Sequence, residues 1–175
     1  MPPTPLLVAA VLALTGPPAA HALCISKGEL YATTTIPQEF ADSRWVVRAR
    51  VTAQTDSWAD AGPDYDEAPW TTYRIEVLEV FKGDAPREMT VFTERDSGGF
   101  YLEPPRGRFD PNVQYLLFLN PTQMWTDSPP EASGTARVNY NCGQSKPWHQ
   151  VPASDRNALL TLAGRTGGGS RGHAG

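Results

Sequence analysis

Two cysteines, Cys24 and Cys142, and three histidines, His21, His149 and His173, are the residues best suited to nucleophilic or metal chemistry in this chain. No CxxC pair and no Cys/His cluster occurs, so the spacing of a zinc site is missing. A thiolate nucleophile needs a histidine partner, and beyond the first 22 residues only His149 and His173 remain, the latter in a glycine-rich tail. Two lone cysteines in an oxidising compartment most simply pair. A Cys24–Cys142 bridge would close a loop of almost the whole domain, worth about 4 to 5 kcal/mol through the unfolded chain. The carboxylates Asp60, Asp64, Asp66 and Glu67 crowd one segment. Their D-x-x-x-D-x-D-E spacing lacks the glycine and the distal bidentate glutamate of a calcium loop, which leaves a solvated turn. Gly98 and Gly99 are followed by no Lys-Ser pair, and Ser97 lacks the spacing of a nucleophile elbow. No catalytic residue, metal ligand or cofactor is expected, and the chain reads as a non-enzyme.

Aromatic side chains offer the other chemistry. Trp58, Tyr65 and Trp70 bracket one open segment, Phe100, Tyr101 and Phe109 lie in a second, and Trp125 sits in a third. Each can plug the end of a small barrel or stand outside it as a stacking platform. Together with Leu23, Ile25 and Ser26 they form the expected binding surface.

The chain has 175 residues and 19.1 kDa, with 40% hydrophobic and 19% charged residues, which suits one domain. Lys+Arg 15 against Asp+Glu 19 leaves a net charge of -4 and a pI near 5.3, the wrong sign for a nucleic-acid partner. Gly 15 and Pro 17 exceed average usage, so long loops and a β-rich core are expected.

Residues 6–14 form an unbroken apolar run, followed by Gly16, Pro17, Pro18 and the small-x-small site Ala20-His21-Ala22. This is the pattern of a secretory signal over residues 1–22, although residues 1–5 carry no Lys or Arg. The run is too short to cross a ~30 Å hydrocarbon core, so no transmembrane span is expected after cleavage. His21 and Leu23 stand where a lipoprotein signal wants a leucine-like and a small residue, which argues against lipid anchoring at Cys24. The mature chain is expected to start at Leu23 and to be secreted, periplasmic or attached to the cell envelope. Its expected partner is an envelope or protein ligand.

Period-two alternation marks strands. In 44–52 (RWVVRARVT), Trp45, Val47, Ala49 and Val51 share a face; in 71–81 (TTYRIEVLEVF), Tyr73, Ile75 and Val77 point inward before the phase slips at Leu78 and Val80. That slip predicts a bulge or strong twist. Lys82-Gly83-Asp84 supplies a turn into a third strand over 88–93, 114–119 (QYLLFL) is a continuous apolar core strand, and 135–142 gives a fifth. The expected barrel interior is Val47, Val51, Tyr73, Ile75, Val77, Val91, Leu116, Phe118 and Val138. Residues 37–41 form a short helix with Phe40 packing, and 154–163 a closing helix capped by Ser154 and ended by Gly164. A disordered tail over 165–175 follows. These elements predict a mainly β fold: a five-stranded OB-type Greek-key barrel over residues 23–164, with a short N-terminal helix and a C-terminal helix.

FADSRWVVRARV (40–51), YRIEVLEVFKG (73–83), MTVFT (89–93), QYLLFL (114–119) and the succession CGQSKPWHQVPASDRNALL (142–160) resemble a family of bacterial secreted proteins. These in turn are similar to the netrin-like, OB-fold N-terminal domain of tissue inhibitors of metalloproteinases. The resemblance implies the same barrel and matches Cys142 to the partner of the inhibitors' second cysteine. It also implies an alternative function, inhibition of a metalloproteinase through the mature N-terminus at Leu23 and Cys24. The inhibitors' Cys-x-Cys start, whose first cysteine sits on the protease zinc, is replaced by Leu23-Cys24-Ile25. That loss puts inhibition second to a non-enzymatic binding role.

Overall fold

The computed structural model describes residues 25–26, 29–30, 34–57, 70–94, 100, 102, 109–126 and 128–167. Two short antiparallel strands come first, β1 (Ile25–Ser26) and β2 (Glu29–Leu30). Helix α1 (Ile36–Asp42) leads into the long strands β3 (Trp45–Ser57) and β4 (Trp70–Lys82), then β5 (Glu88–Glu94) and β6 (Gln114–Pro121). The short strands β7 (Ala136–Val138) and β8 (Lys146–Pro147) precede the closing helix α2 (Ala153–Gly167).

The hydrogen-bonded order is β3-β4-β5-β7-β6, and β6 pairs back onto β3, so five strands close a ring. All neighbours are antiparallel except β5 and β7, which run parallel where Val91 faces Ala136. The interchange of the last two strands, with one parallel pair, is the Greek-key order of an OB-type barrel, as expected. Closure demands that β3 bond to strands on both sides while coiling. Its register against β4 shifts between Val46 and Val47, between Arg48 and Ala49, and between Val51 and Ala53. Each irregularity adds local twist, so the phase slip read in β4 has its physical origin in this bulged pairing.

Two cores lie on either side of the barrel wall. Val47, Ala49, Val51, Tyr73, Ile75, Val91, Tyr115, Leu117, Leu119, Ala136 and Val138 fill the interior together with Leu102. Outside, Ile36, Phe40, Val46, Phe81, Leu116, Phe118, Val151 and Leu159 pack the two helices onto β3, β4 and β6. This corrects the expected interior set. Leu116 and Phe118 are fully buried, but under the helices, because a strand covered on both faces reads as an uninterrupted apolar run. The odd residues of that run fill the barrel. Val77 is partly buried against the interior, whereas Leu78 and Val80 remain exposed.

Helix α1 starts at Thr35, whose side chain accepts the Gln38 N–H, with Pro37 in the first turn where its missing N–H costs nothing. At its other end the Lys82 ammonium donates to the Phe40 and Ala41 carbonyls, at 2.5 and 2.9 Å, satisfying groups the helix leaves unpaired. Burial holds the Lys82 pKa below the ordinary lysine value. Gly83 turns β4 into β5 at φ 81°, and a Cβ there would run into the Arg44 carbonyl. Helix α2 differs from expectation at both ends. It starts on the Pro152 carbonyl, leaving Ser154 inside its first turn, and it runs past Gly164 to Gly167. Gly164 is exposed and without a positive φ, so it lowers helix propensity by roughly 1 kcal/mol without forcing a stop. The disordered tail expected over 165–175 is thus corrected at 165–167, which are helical, while 168–175 and the whole expected signal segment lie outside the described residues.

Candidate functional site

Of the aromatics expected to form a contact surface, those described separate into two groups. Phe100 and Phe109 pack against the barrel interior, and the connection carrying them is tied down at several points. Thr93 Oγ1 donates to the Phe100 carbonyl at 2.6 Å, the Tyr115 hydroxyl to the Leu102 carbonyl at 3.0 Å, and the Phe109 N–H to Gln54 Oε1 at 3.1 Å. Leu102 is fully buried among the interior side chains, beside Phe100 and Phe109. Trp70 is half-buried at the start of β4, with its indole nitrogen enclosed. Trp125, by contrast, is 62% exposed. Trp58, Tyr65, Tyr101, Leu23 and Cys24 lie outside the described residues, and only the backbone of Ile25 and Ser26 is described, as strand β1.

Trp125 stands on the connection between β6 and β7, and its position is built locally. Pro129 and Pro130 start a single turn of tight helix at Pro130–Ala132. The Trp125 N–H donates to Ser128 Oγ at 2.8 Å, and the Ser128 N–H returns to the Trp125 carbonyl at 3.2 Å. At the root, the Thr122 N–H donates to the Thr135 carbonyl at 2.9 Å, and the two threonine hydroxyls bond to each other at 2.9 Å. An exposed indole is thereby carried on a braced loop.

A hollow of about 60 Å³ lies beside it, bounded by the end of β5, by β7 and by this loop. Phe92 forms part of its wall, nearly fully buried on the outside of the barrel. Around it stand Glu94, Gln123, Arg137 and Asn141, none of whose side chains has a hydrogen-bond or ion-pair partner among the described residues. Sequence reasoning named Trp125 only as one of several aromatics and missed these four, because they are ordinary polar letters that only the β5–β7 adjacency brings together. A broader groove of about 690 Å³ lies near the β4–β5 turn, lined by Trp45, Arg74, Glu88 and Met89 among others. There the aromatic residue is packed against the interior and offers no free platform.

Two further clusters are structural. Glu39 is fully buried in α1. Its Oε1 accepts from the Thr34 hydroxyl and from the Gln144 N–H, the latter at 2.6 Å, while Oε2 has no partner. Burial pushes the Glu39 pKa above the ordinary 4.5, against the lowering effect of those two donors and of Lys146. Gly143 presses against this carboxyl, where a Cβ would collide with it. One side chain thus ties the approach to α1 to the turn that follows Cys142. On the opposite flank, Trp148 stacks on Phe81 at 6.1 Å and carries the guanidinium groups of Arg48 and Arg156 at 5.1 and 4.9 Å. Arg156 also donates to the Val151 and Trp148 carbonyls, which seats the start of α2.

No cysteine is free among the described residues, Cys142 being bonded. Its expected partner Cys24 is not among those residues. No group of three or more His, Cys, Asp or Glu among the described residues is arranged to hold a metal ion, and none of their helices is long and apolar enough to cross a membrane. The fold defines a closed OB-type barrel with one braced, exposed tryptophan among the described residues. Comparison with known proteins finds no protein-family model that matches the chain and no curated protein similar to it.

Proposed function

We propose that this protein is an exported, disulfide-tied OB-type module that acts by binding a component of the cell envelope, without catalysis, through the surface around Trp125. The observation that carries this reading is the exposure of Trp125 on a braced loop, while Phe100 and Phe109 pack against the barrel interior and Trp70 is half-buried. An aromatic side chain with two torsions on a rigid scaffold loses little entropy when it is covered, so it favours association. Glu94 is the single carboxylate among the described residues lining the hollow, and no histidine or cysteine joins it. A pair of carboxylates or a nucleophile with its base is the usual requirement for hydrolysis, so the lining favours binding over chemistry.

Export at residue 22, the Cys24–Cys142 bridge and kinship with netrin-like modules belong to the same proposal, supported respectively by the apolar run of 6–14, by the bonded state of Cys142, and by the strand order with its flanking helices. The inhibitor alternative rests on Leu23, outside the described residues, and no observed feature favours it.

The test compares wild type with Trp125→Ala. Saturable retention on insoluble bacterial envelope, reduced at least tenfold in Trp125→Ala, is the expected result. Equal retention of the two proteins would overturn the binding surface. Recovery of the chain only in the cytoplasm, with the mass of residues 1–175, would overturn export.

A further inference from the structure

We infer that the ligand at the Trp125 hollow is a neutral oligosaccharide, with the indole stacking on one face of a sugar ring and Glu94, Gln123, Arg137 and Asn141 bonding its hydroxyls. The inference rests on the binding role proposed above and names the chemical class that role serves. A pyranose ring has an apolar C–H face and a rim of hydroxyls, each both donor and acceptor. The surface offers the complement of both. One indole is 62% exposed, and beside it stand a carboxylate that accepts, a guanidinium that donates, and two primary amides that do either. None of these four polar side chains is engaged with another described residue, so a ligand hydroxyl breaks no bond to a described residue.

Position and size agree with this assignment. The hollow lies where the third barrel strand, β5, meets the connection between the fourth and fifth, β6 and β7, and OB-type barrels bind extended oligomers across that region. Its volume of about 60 Å³ holds roughly four to six waters at 10–15 Å³ each, room for one projecting substituent such as a hydroxymethyl or acetamido group. The rest of the sugar would lie across Trp125 at the surface. Charge separates this class from the other oligomers that such barrels take. The chain is acidic at -4, and the hollow sets Glu94 against Arg137, which leaves no cationic surplus for a phosphate backbone.

The experiment is a titration of the isotopically labelled exported chain, disulfide intact, followed through the Trp125 indole N–H where that residue is present and through the backbone amides of Gln123 and Arg137 in wild type and both variants. The probes are cellotetraose, maltotetraose and the β-1,4 tetramer of N-acetylglucosamine, each to about 10 mM, which reaches dissociation constants weaker than millimolar. Ten-residue oligothymidylate serves as the polyanion. A saturable shift of the Trp125 signal with at least one sugar is expected, together with at least tenfold weaker binding in Trp125→Ala and Asn141→Ala, and unchanged thermal midpoints. A sugar bound equally well by both variants would overturn the assignment, as would a Trp125 shift with oligothymidylate alone. If no sugar shifts Trp125 while Trp125-dependent retention on envelope survives removal of polysaccharide, the sugar class fails and the binding role stands. If retention is also indifferent to Trp125, both fail.

Discussion

Replacing Glu39 separates two roles that a buried carboxyl can play. In Glu39→Ala the Gln144 N–H and the Thr34 hydroxyl lose their shared acceptor, and an unsatisfied buried donor costs about 1–3 kcal/mol. Removing Oε2, which has no partner, returns part of that, so a net loss of about 2–4 kcal/mol is expected. Glu39→Gln keeps a carbonyl oxygen for both donors and removes the ionisable group. Because burial raises the Glu39 pKa above 4.5, the folded chain holds this proton more tightly than the unfolded one. The group is therefore least costly below the unfolded value, and wild type loses stability as pH rises from there through the folded pKa. The Gln variant lacks that loss. Its stability relative to wild type should be similar near pH 4 and should increase by pH 8. Urea unfolding followed by tryptophan fluorescence reads both effects, since about 2–4 kcal/mol at a slope of roughly 2 kcal/mol/M moves the midpoint by about 1–2 M. A Glu39→Ala midpoint equal to wild type, or a Gln-minus-wild-type difference that does not grow with pH, would refute the reasoning.

Gly83→Ala should destabilise by about 2–4 kcal/mol in the same assay, combining a strained backbone at φ 81° with the collision against Arg44; a change below 0.5 kcal/mol would show that the turn relaxes freely. Leu116→Ala and Leu117→Ala should each cost about 2–5 kcal/mol, but only Leu116→Ala should couple to Leu159→Ala, by more than about 0.5 kcal/mol in a double-mutant cycle. Coupling of Leu117 alone would reverse the two faces of β6. The intact chain should count no free thiols in denaturant without reductant, and reduction should lower unfolding stability by about 4–5 kcal/mol; two titratable thiols in the native preparation would remove the bridge.

Local chemistry carried much of the fold into the sequence. The apolar run of β6 announced a strand buried on both faces, the alternation in β3 and β4 marked their inward sides, and Pro37 with Phe40 placed α1 to within a residue or two. Lys82-Gly83-Asp84 marked the turn because a positive φ at one position leaves few alternatives to glycine. The assignment of Leu116 and Phe118 to the interior failed, since period two tells which residues share a face and never what covers that face. The two-residue strand β8 was missed, and the helix stop expected at Gly164 was misplaced, for a related reason: a strand of Lys146 and Pro147 exists only because β6 lies alongside, and a glycine ends a helix only where its surroundings require a positive φ. For the site, residue type named the aromatics but could not sort them. Phe109 inside the rim and Trp125 outside it differ by the loops that hold them. The hydrogen bond that Glu39 accepts comes from Gln144, 105 residues away, and the place of Glu94 and Arg137 in the wall of one hollow depends on the parallel pairing of β5 with β7. The sequence by itself determined which segments are strands, helices and turns, because backbone preference and hydrophobic period act over a few residues. Which side chains meet around Trp125 was decided only by closure of the barrel, because those contacts join residues with no local interaction to bring them together.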